Sequence, residues 1–212
     1  MNDFKNVNDL YSNSWKYFIK PNRCNYDPFI IPDSNNYKNK NLINNKFSIK
    51  TERGFELIGN LFIPELFTDT YPSKDKNVII YLHSQGGTMV EGLFLLNLCT
   101  YFQIALCTFD FCGCGKSGGE FISLGWHEHQ DLDKIIHFIQ FEHNIFNISL
   151  WGRSMGAVTS ILYSYRHSFN ITGMVLDSPF LSLQKSVLNL AKNRLGISNL
   201  LTKILLTLIE GK

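Results

Sequence analysis

The sequence predicts an α/β fold, a mainly parallel sheet with helices on both faces. Three observations carry that prediction. Short apolar runs recur at residues 78–83, 104–110, 145–151 and 171–177, with helical stretches between them. These runs are nearly apolar throughout instead of alternating, the pattern of strands covered on both sides. Strand-like and helix-like segments then alternate along the chain, which implies parallel pairing through right-handed crossovers.

Taken in order, residues 1–45 read as a polar arm. Of 21 asparagines in the chain, 12 precede Lys46, and Pro21, Pro28 and Pro32 interrupt any regular element. The arm is expected to lie extended against the domain. Residues 46–212 form the domain itself. Residues 47–50 and 55–63 flank Glu52-Arg53-Gly54 and predict an antiparallel hairpin. Residues 78–83 are the first buried parallel strand, 89–101 have helical spacing, and 104–110 are the next strand. After a glycine-rich loop, residues 127–141 predict a helix whose Leu132, Ile135, Ile136 and Ile139 share one face. A strand over 145–151, a helix over 154–167 and a strand over 171–177 follow. Residues 181–212 close the chain as a leucine-rich, cap-like helical segment, with a break near Gly196-Ile197-Ser198.

Composition sets bounds on function. A chain of 212 residues is long enough for one domain with a substantial core. A net charge of +2 makes no electrostatic case for nucleic acid. No run approaches 18 unbroken apolar residues, so no membrane span is expected, and the polar start lacks the core of a signal peptide. Residues 181–212 carry Lys185, Lys192, Arg194 and Lys203 without a strong cationic face, so any membrane-surface association would be weak. Five unevenly spaced cysteines suggest reduced thiols and a cytoplasmic location. Cys112-Gly113-Cys114 is too close-set for a zinc half-site, and no metal is expected.

The chemistry falls at strand ends, where parallel sheets bind ligands. Gly152-Arg153-Ser154-Met155-Gly156 stands between a predicted strand and a predicted helix, the context of a nucleophile elbow. Ser154 is the candidate nucleophile. The Met155 N–H lies at the helix start, where unpaired amides and the macrodipole favour an oxyanion. His83-Ser84-Gln85-Gly86-Gly87 follows the first parallel strand, and the amide of Ser84 or Gln85 is the candidate second donor. Gly115-Lys116-Ser117 looks like the end of a phosphate loop. Asp110 stands where that motif requires glycine, however, and Gly118-Gly119 follows where a helix should begin. His129, Asp133 and His137 share a helix face, best read as a solvated polar face. Asp177, before Ser178-Pro179, is expected to hold the turn that follows it.

Together these segments resemble the α/β-hydrolase superfamily, in its eukaryotic serine aminopeptidase-like or acyl-protein-thioesterase-like branch. The resemblance rests on Tyr81-Leu82-His83 with its small-residue loop, Phe109-Asp110-Phe111 with its glycine-rich loop, and Leu124-Gly125-Trp126. Leu150 to Ala157, Val175 to Phe180 and an arm motif, Phe18 to Arg23 ahead of Tyr26, complete it. It implies cofactor-free hydrolysis of an acyl ester, thioester or peptide bond in a small-molecule, peptide or acylated-protein substrate. The superfamily order is serine, then acid, then histidine. Here the last histidine, His167, rides on the helix leaving Ser154. The expected last strands, acid and base are missing, so the chain reads as an inactive or partial hydrolase. The alternative is a non-catalytic binding module on the same fold.

Overall fold

Seven strands form one sheet in a computed structural model that describes residues 19–68, 70–167 and 171–182. The chain divides into two units, Pro21–Pro179 and a second made of Met1–Lys20 with Phe180–Lys212. The architecture below is that of Pro21–Pro179. The expectations for the start of the arm and for the leucine-rich segment from residue 183 onward lie outside the described residues.

The strands are β1 (Ser34–Tyr37), β2 (Lys40–Lys50), β3 (Glu56–Pro64), β4 (Asn77–Leu82), β5 (Ala105–Phe109), β6 (Asn147–Arg153) and β7 (Gly173–Asp177). Their spatial order is β1-β2-β3-β5-β4-β6-β7. Strands β1, β2, β3 and β5 pair antiparallel in turn, whereas β5–β4, β4–β6 and β6–β7 are parallel. The three α-helices are α1 (Leu96–Phe102), α2 (Glu128–His143) and α3 (Met155–Arg166).

Side chains alternate across the sheet and build two cores. On one face Leu42, Phe62, Tyr81 and Leu106 pack with Met89, Leu95, Leu96 and Cys99. On the other, Phe47 meets Phe138 of α2 with ring centroids 4.8 Å apart. The predicted stripe Leu132, Ile135, Ile136 and Ile139 is wholly buried. At about 25 cal/mol per Å² of apolar surface, each such side chain contributes roughly 2 kcal/mol of transfer free energy.

Two elements differ from expectation. Residues 34–45, taken as the end of the arm, form β1 and the start of β2. Lys38 and Asn39 turn between them with φ of 50° and 61°, an arrangement that suits asparagine in a two-residue hairpin. The strand signal is weak because Leu42 is the one fully buried side chain of β1 and β2. The continuous helix over 89–101 is instead a 3₁₀ segment, Met89–Leu95, leading into α1. Gly92 lies against Thr108 and Tyr81 so closely that a Cβ would collide with both. The tighter 3₁₀ backbone accommodates that approach, and glycine lowers the preference for α geometry.

The loop after β5 is organised by one carboxylate. Asp110 is fully buried and accepts from the Met89 N–H at 2.7 Å, the Lys116 N–H at 2.7 Å and the Tyr26 hydroxyl at 2.8 Å. The Tyr26 hydroxyl is pushed far up in pKa by burial and by that carboxylate. Ser117 Oγ donates to the Asp110 carbonyl at 2.6 Å and accepts the Ile58 N–H at 2.9 Å. Arg23 donates to the carbonyls of Gly115, Ser117 and Gly119. The hollow that a phosphate loop would leave for its ligand is thus occupied by an internal carboxylate.

Asp110→Asn keeps the shape but replaces one acceptor oxygen with a donor facing a donor. The expected cost is about 2–3 kcal/mol, read as a lowered urea midpoint at unchanged m-value. A loss below roughly 0.5 kcal/mol, the size of an ordinary surface substitution, would show that the carboxylate does not hold this loop.

Candidate active site

Strand β6 runs two residues further than predicted, so Ser154 stands directly at its end, one residue before α3. Its backbone has φ 51° and ψ −108°, a sparsely populated region that costs a non-glycine residue on the order of 1–3 kcal/mol. Two hydrogen bonds hold it there. The Ser154 N–H donates to the Asp177 carbonyl at 2.8 Å, and the Ser154 carbonyl accepts the Val158 N–H at 3.1 Å. Both flanking glycines are required sterically. A Cβ on Gly152 would collide with the Gly156 carbonyl, and one on Gly156 with the Leu82 carbonyl. The turn therefore presses α3 onto the ends of β4 and β6. Ser154 is partly exposed and Met155 buried, and Thr159 and Ser160 return hydrogen bonds to the Met155 and Gly156 carbonyls.

The loop after β4 is fixed by His83. Its Nε2 accepts the Phe111 N–H at 3.0 Å, which leaves Nδ1 to carry the proton toward the Ser84 carbonyl at 2.8 Å. Both ring nitrogens are thus committed, and the imidazole is neutral and structural. Burial pushes its pKa below the ordinary histidine value. Ser84 is engaged from the other side by Glu91, whose carboxylate accepts the Ser84 N–H at 3.2 Å and the Ser84 hydroxyl at 2.8 Å. Tyr81 donates to the same carboxylate at 3.4 Å. Of the two predicted donors, Ser84 therefore has its amide turned toward Glu91. Glu91 carried no sequence signal, because an isolated acid in a helical pattern reads as solvated.

Asp177 holds the turn after β7, as expected. Ser178 Oγ donates to its carboxylate at 2.7 Å, and Arg153 Nε lies 3.6 Å away. The histidines are engaged elsewhere. His127 Nδ1 lies 3.4 Å from Gln130 Oε1, and His143 packs edge-on against Phe138. His129 faces His167 at 3.1 Å, while His137 and His167 each approach Asp133. The face read from sequence as simply solvated is therefore joined by His167, brought in by the end of α3 from 38 residues away.

The family described as serine aminopeptidase, S33, matches residues 99–210, more than half of the chain. The chain belongs to the serine aminopeptidase S33 family. The uncharacterized protein YqkD of Bacillus subtilis (strain 168) is 31% identical to this S33 chain over 111 residues, 51% of the chain and 36% of YqkD. The chain thus spans about a third of that relative's length. Among solved structures, the Pyrococcus furiosus esterase Pf2001 aligns with a TM-score of 0.64 at 21% identity, over 87% of this chain and 68% of its own. An alpha-beta hydrolase from Vibrio vulnificus aligns at 0.57 and 23%, over 76% and 55%. These likenesses show the α/β-hydrolase fold. No helix among the described residues is long and apolar enough to cross a membrane.

His83 makes the stability of this S33 chain depend on pH. Its pKa is depressed in the folded state, so the unfolded state takes up the proton first. Stability is complete above about pH 6.5, the ordinary histidine value, and falls as pH drops below it, by up to roughly 1.4 kcal/mol per pH unit for one group. Urea unfolding at pH 7.5 and 5.5 is expected to show a smaller drop for His83→Gln than for the wild type. Equal drops would assign the acid sensitivity to other groups.

Proposed function

We propose that the chain carries the serine half of a hydrolase that cleaves an acyl ester, thioester or peptide bond, with Ser154 as nucleophile. The observation that carries this reading is the backbone of Ser154. Strain at φ 51° and ψ −108°, kept in place by two hydrogen bonds and two obligatory glycines, is wasteful for a turn that only connects a strand to a helix. It suits a turn that must present a hydroxyl.

The Met155 N–H at the start of α3 and the Gln85 N–H in the loop after β4 are proposed as the oxyanion donors. Ser84 is left out because its amide points to Glu91. Each donor to a developing oxyanion is typically worth about 3 kcal/mol in the transition state. Catalysis needs no cofactor in this scheme. The substrate is a small molecule, a peptide or an acylated protein, and the five free cysteines fit a reducing, cytoplasmic setting. Proton transfer is the missing half. All six histidines are engaged away from Ser154, and a serine without a base is a weak nucleophile.

That last observation also favours a second reading, a non-catalytic α/β-hydrolase-like module that binds a ligand. A fluorophosphonate probe separates the two. Under prolonged incubation at high probe concentration, mass spectrometry is expected to map a slow adduct to Ser154, absent in Ser154→Ala. The rate is expected to lie roughly four to six orders of magnitude below that of a complete triad. A folded chain that forms no Ser154 adduct, or one equally modified at Ser84 or Ser160, would overturn the hydrolase reading and leave the binding module.

A further inference from the structure

We propose that His129 and His167 form a two-histidine site for a divalent transition ion such as zinc, nickel or copper at the contact between α2 and α3. The site is independent of the reading of Ser154. His129 Nδ1 and His167 Nε2 face each other at 3.1 Å. With His167 Nδ1 facing the Asp133 carboxylate, His167 Nε2 accepts and His129 Nδ1 donates; an ion bound to both nitrogens takes the place of that hydrogen, which moves to His129 Nε2. A tetrahedral ion with bonds of about 2.0–2.1 Å holds two nitrogens about 3.3 Å apart. The nitrogens therefore separate by a few tenths of an ångström, and each ring turns so that its lone pair points about 35° off the N···N line, toward the ion.

His167 is already set as a ligand. Its Nδ1 lies 3.2 Å from Asp133 Oδ1, and its ring stacks on Tyr163 with centroids 4.4 Å apart. The Tyr163 hydroxyl donates to the same carboxylate oxygen at 3.3 Å. A carboxylate behind a ligating imidazole fixes its tautomer and raises its basicity. His129 is 6% exposed.

A cavity of about 230 Å³ opens beside the pair, with Gln130 and Thr51 in its wall. It leaves room for water to complete the coordination. The cations in that wall are paired, Arg53 with Asp131 at 2.6 Å and Lys134 with Glu52 at 2.7 Å. No three His, Cys, Asp or Glu side chains among the described residues are arranged to hold an ion, so the protein supplies two ligands. Imidazole donors suit zinc, copper and nickel, and not magnesium or calcium.

Calorimetric titration of zinc into the full chain tests this, with Cys24→Ser to remove the one exposed thiol. Saturable one-to-one binding is expected, reversed by EDTA, with no response to magnesium. At roughly ten times Kd the melting temperature should rise by about 3–5 °C. Asp133→Asn should weaken binding ten- to a hundredfold, and His167→Gln should abolish it. Should His129→Gln fail to fold, the less buried His167 and Asp133 variants still decide the matter. Undiminished binding in His167→Gln, or no saturation by roughly 1 mM zinc, would overturn the proposal.

Discussion

The fold depends on one buried carboxylate. Asp110 sits at the end of β5 and receives donors from three parts of the chain: Tyr26 before the sheet, Met89 at the start of the 3₁₀ segment, and Lys116 in its own loop. Those contacts tie the loop after β4, through Met89, to the loop after β5. His83 adds a second tie between the same loops by bonding Phe111. An ionised group buried without partners would cost far more than it returns, so the three donors and the carboxylate are mutually required. The resemblance to a phosphate loop at Gly115-Lys116-Ser117 has the same origin. Backbone amides curled around an anion look alike whether that anion is a ligand or a side chain.

Other carboxylates repeat the device along the same edge of the sheet. Glu91 fastens Ser84, Glu128 accepts from the amides of Ser123 and Gly125, and Asp131 pairs with Arg53 while accepting the Cys112 N–H at 3.3 Å. Burial pushes the Asp131 carboxyl up even with Arg53 beside it. Hydrogen bonds to charged groups, worth about 1.5–3 kcal/mol each, shape these loops together with buried side chains such as Phe111, Ile122 and Leu124. A rigid edge is what lets the turn at Ser154 stay strained.

Much of this was legible from the sequence. Apolar runs locate the four parallel strands to within a few residues; the expected burial on both faces holds for β5, whereas β6 alternates and β7 is exposed along its length. Gly152 and Gly156 mark the turn because only glycine fits against the Gly156 and Leu82 carbonyls. The hairpin of β1 and β2 was hidden because its side chains are mostly polar and half exposed, so neither period nor hydrophobicity distinguishes it from a loop. Asp110, Glu91 and Arg23 were hidden for another reason. Arg23 acts on backbone carbonyls more than 90 residues away, and Asp110 and Glu91 gather donors from separate turns and side chains, which no helix or strand period encodes. His167 joins His129 and Asp133 only because α3 packs beside α2, a tertiary fact that the face pattern of one helix cannot reveal.

The proposed hydrolase site divides into two halves with different structural demands. Stabilising an oxyanion needs backbone amides held still, and the proposed donors, Gln85 and Met155, stand beside residues pinned by His83, Glu91 and the glycines. Moving a proton needs a side chain with a suitable pKa and an unobstructed path to Ser154. The six histidines of this sequence are committed to other tasks: His83 to two backbone groups, His129 to its partner His167, and the rest to side chains away from the turn. Of these only His83 is fully buried, and its release would cost the hydrogen bond to Phe111 that joins the loops after β4 and β5. A base for Ser154 would have to come from a side chain that the sheet edge does not already use.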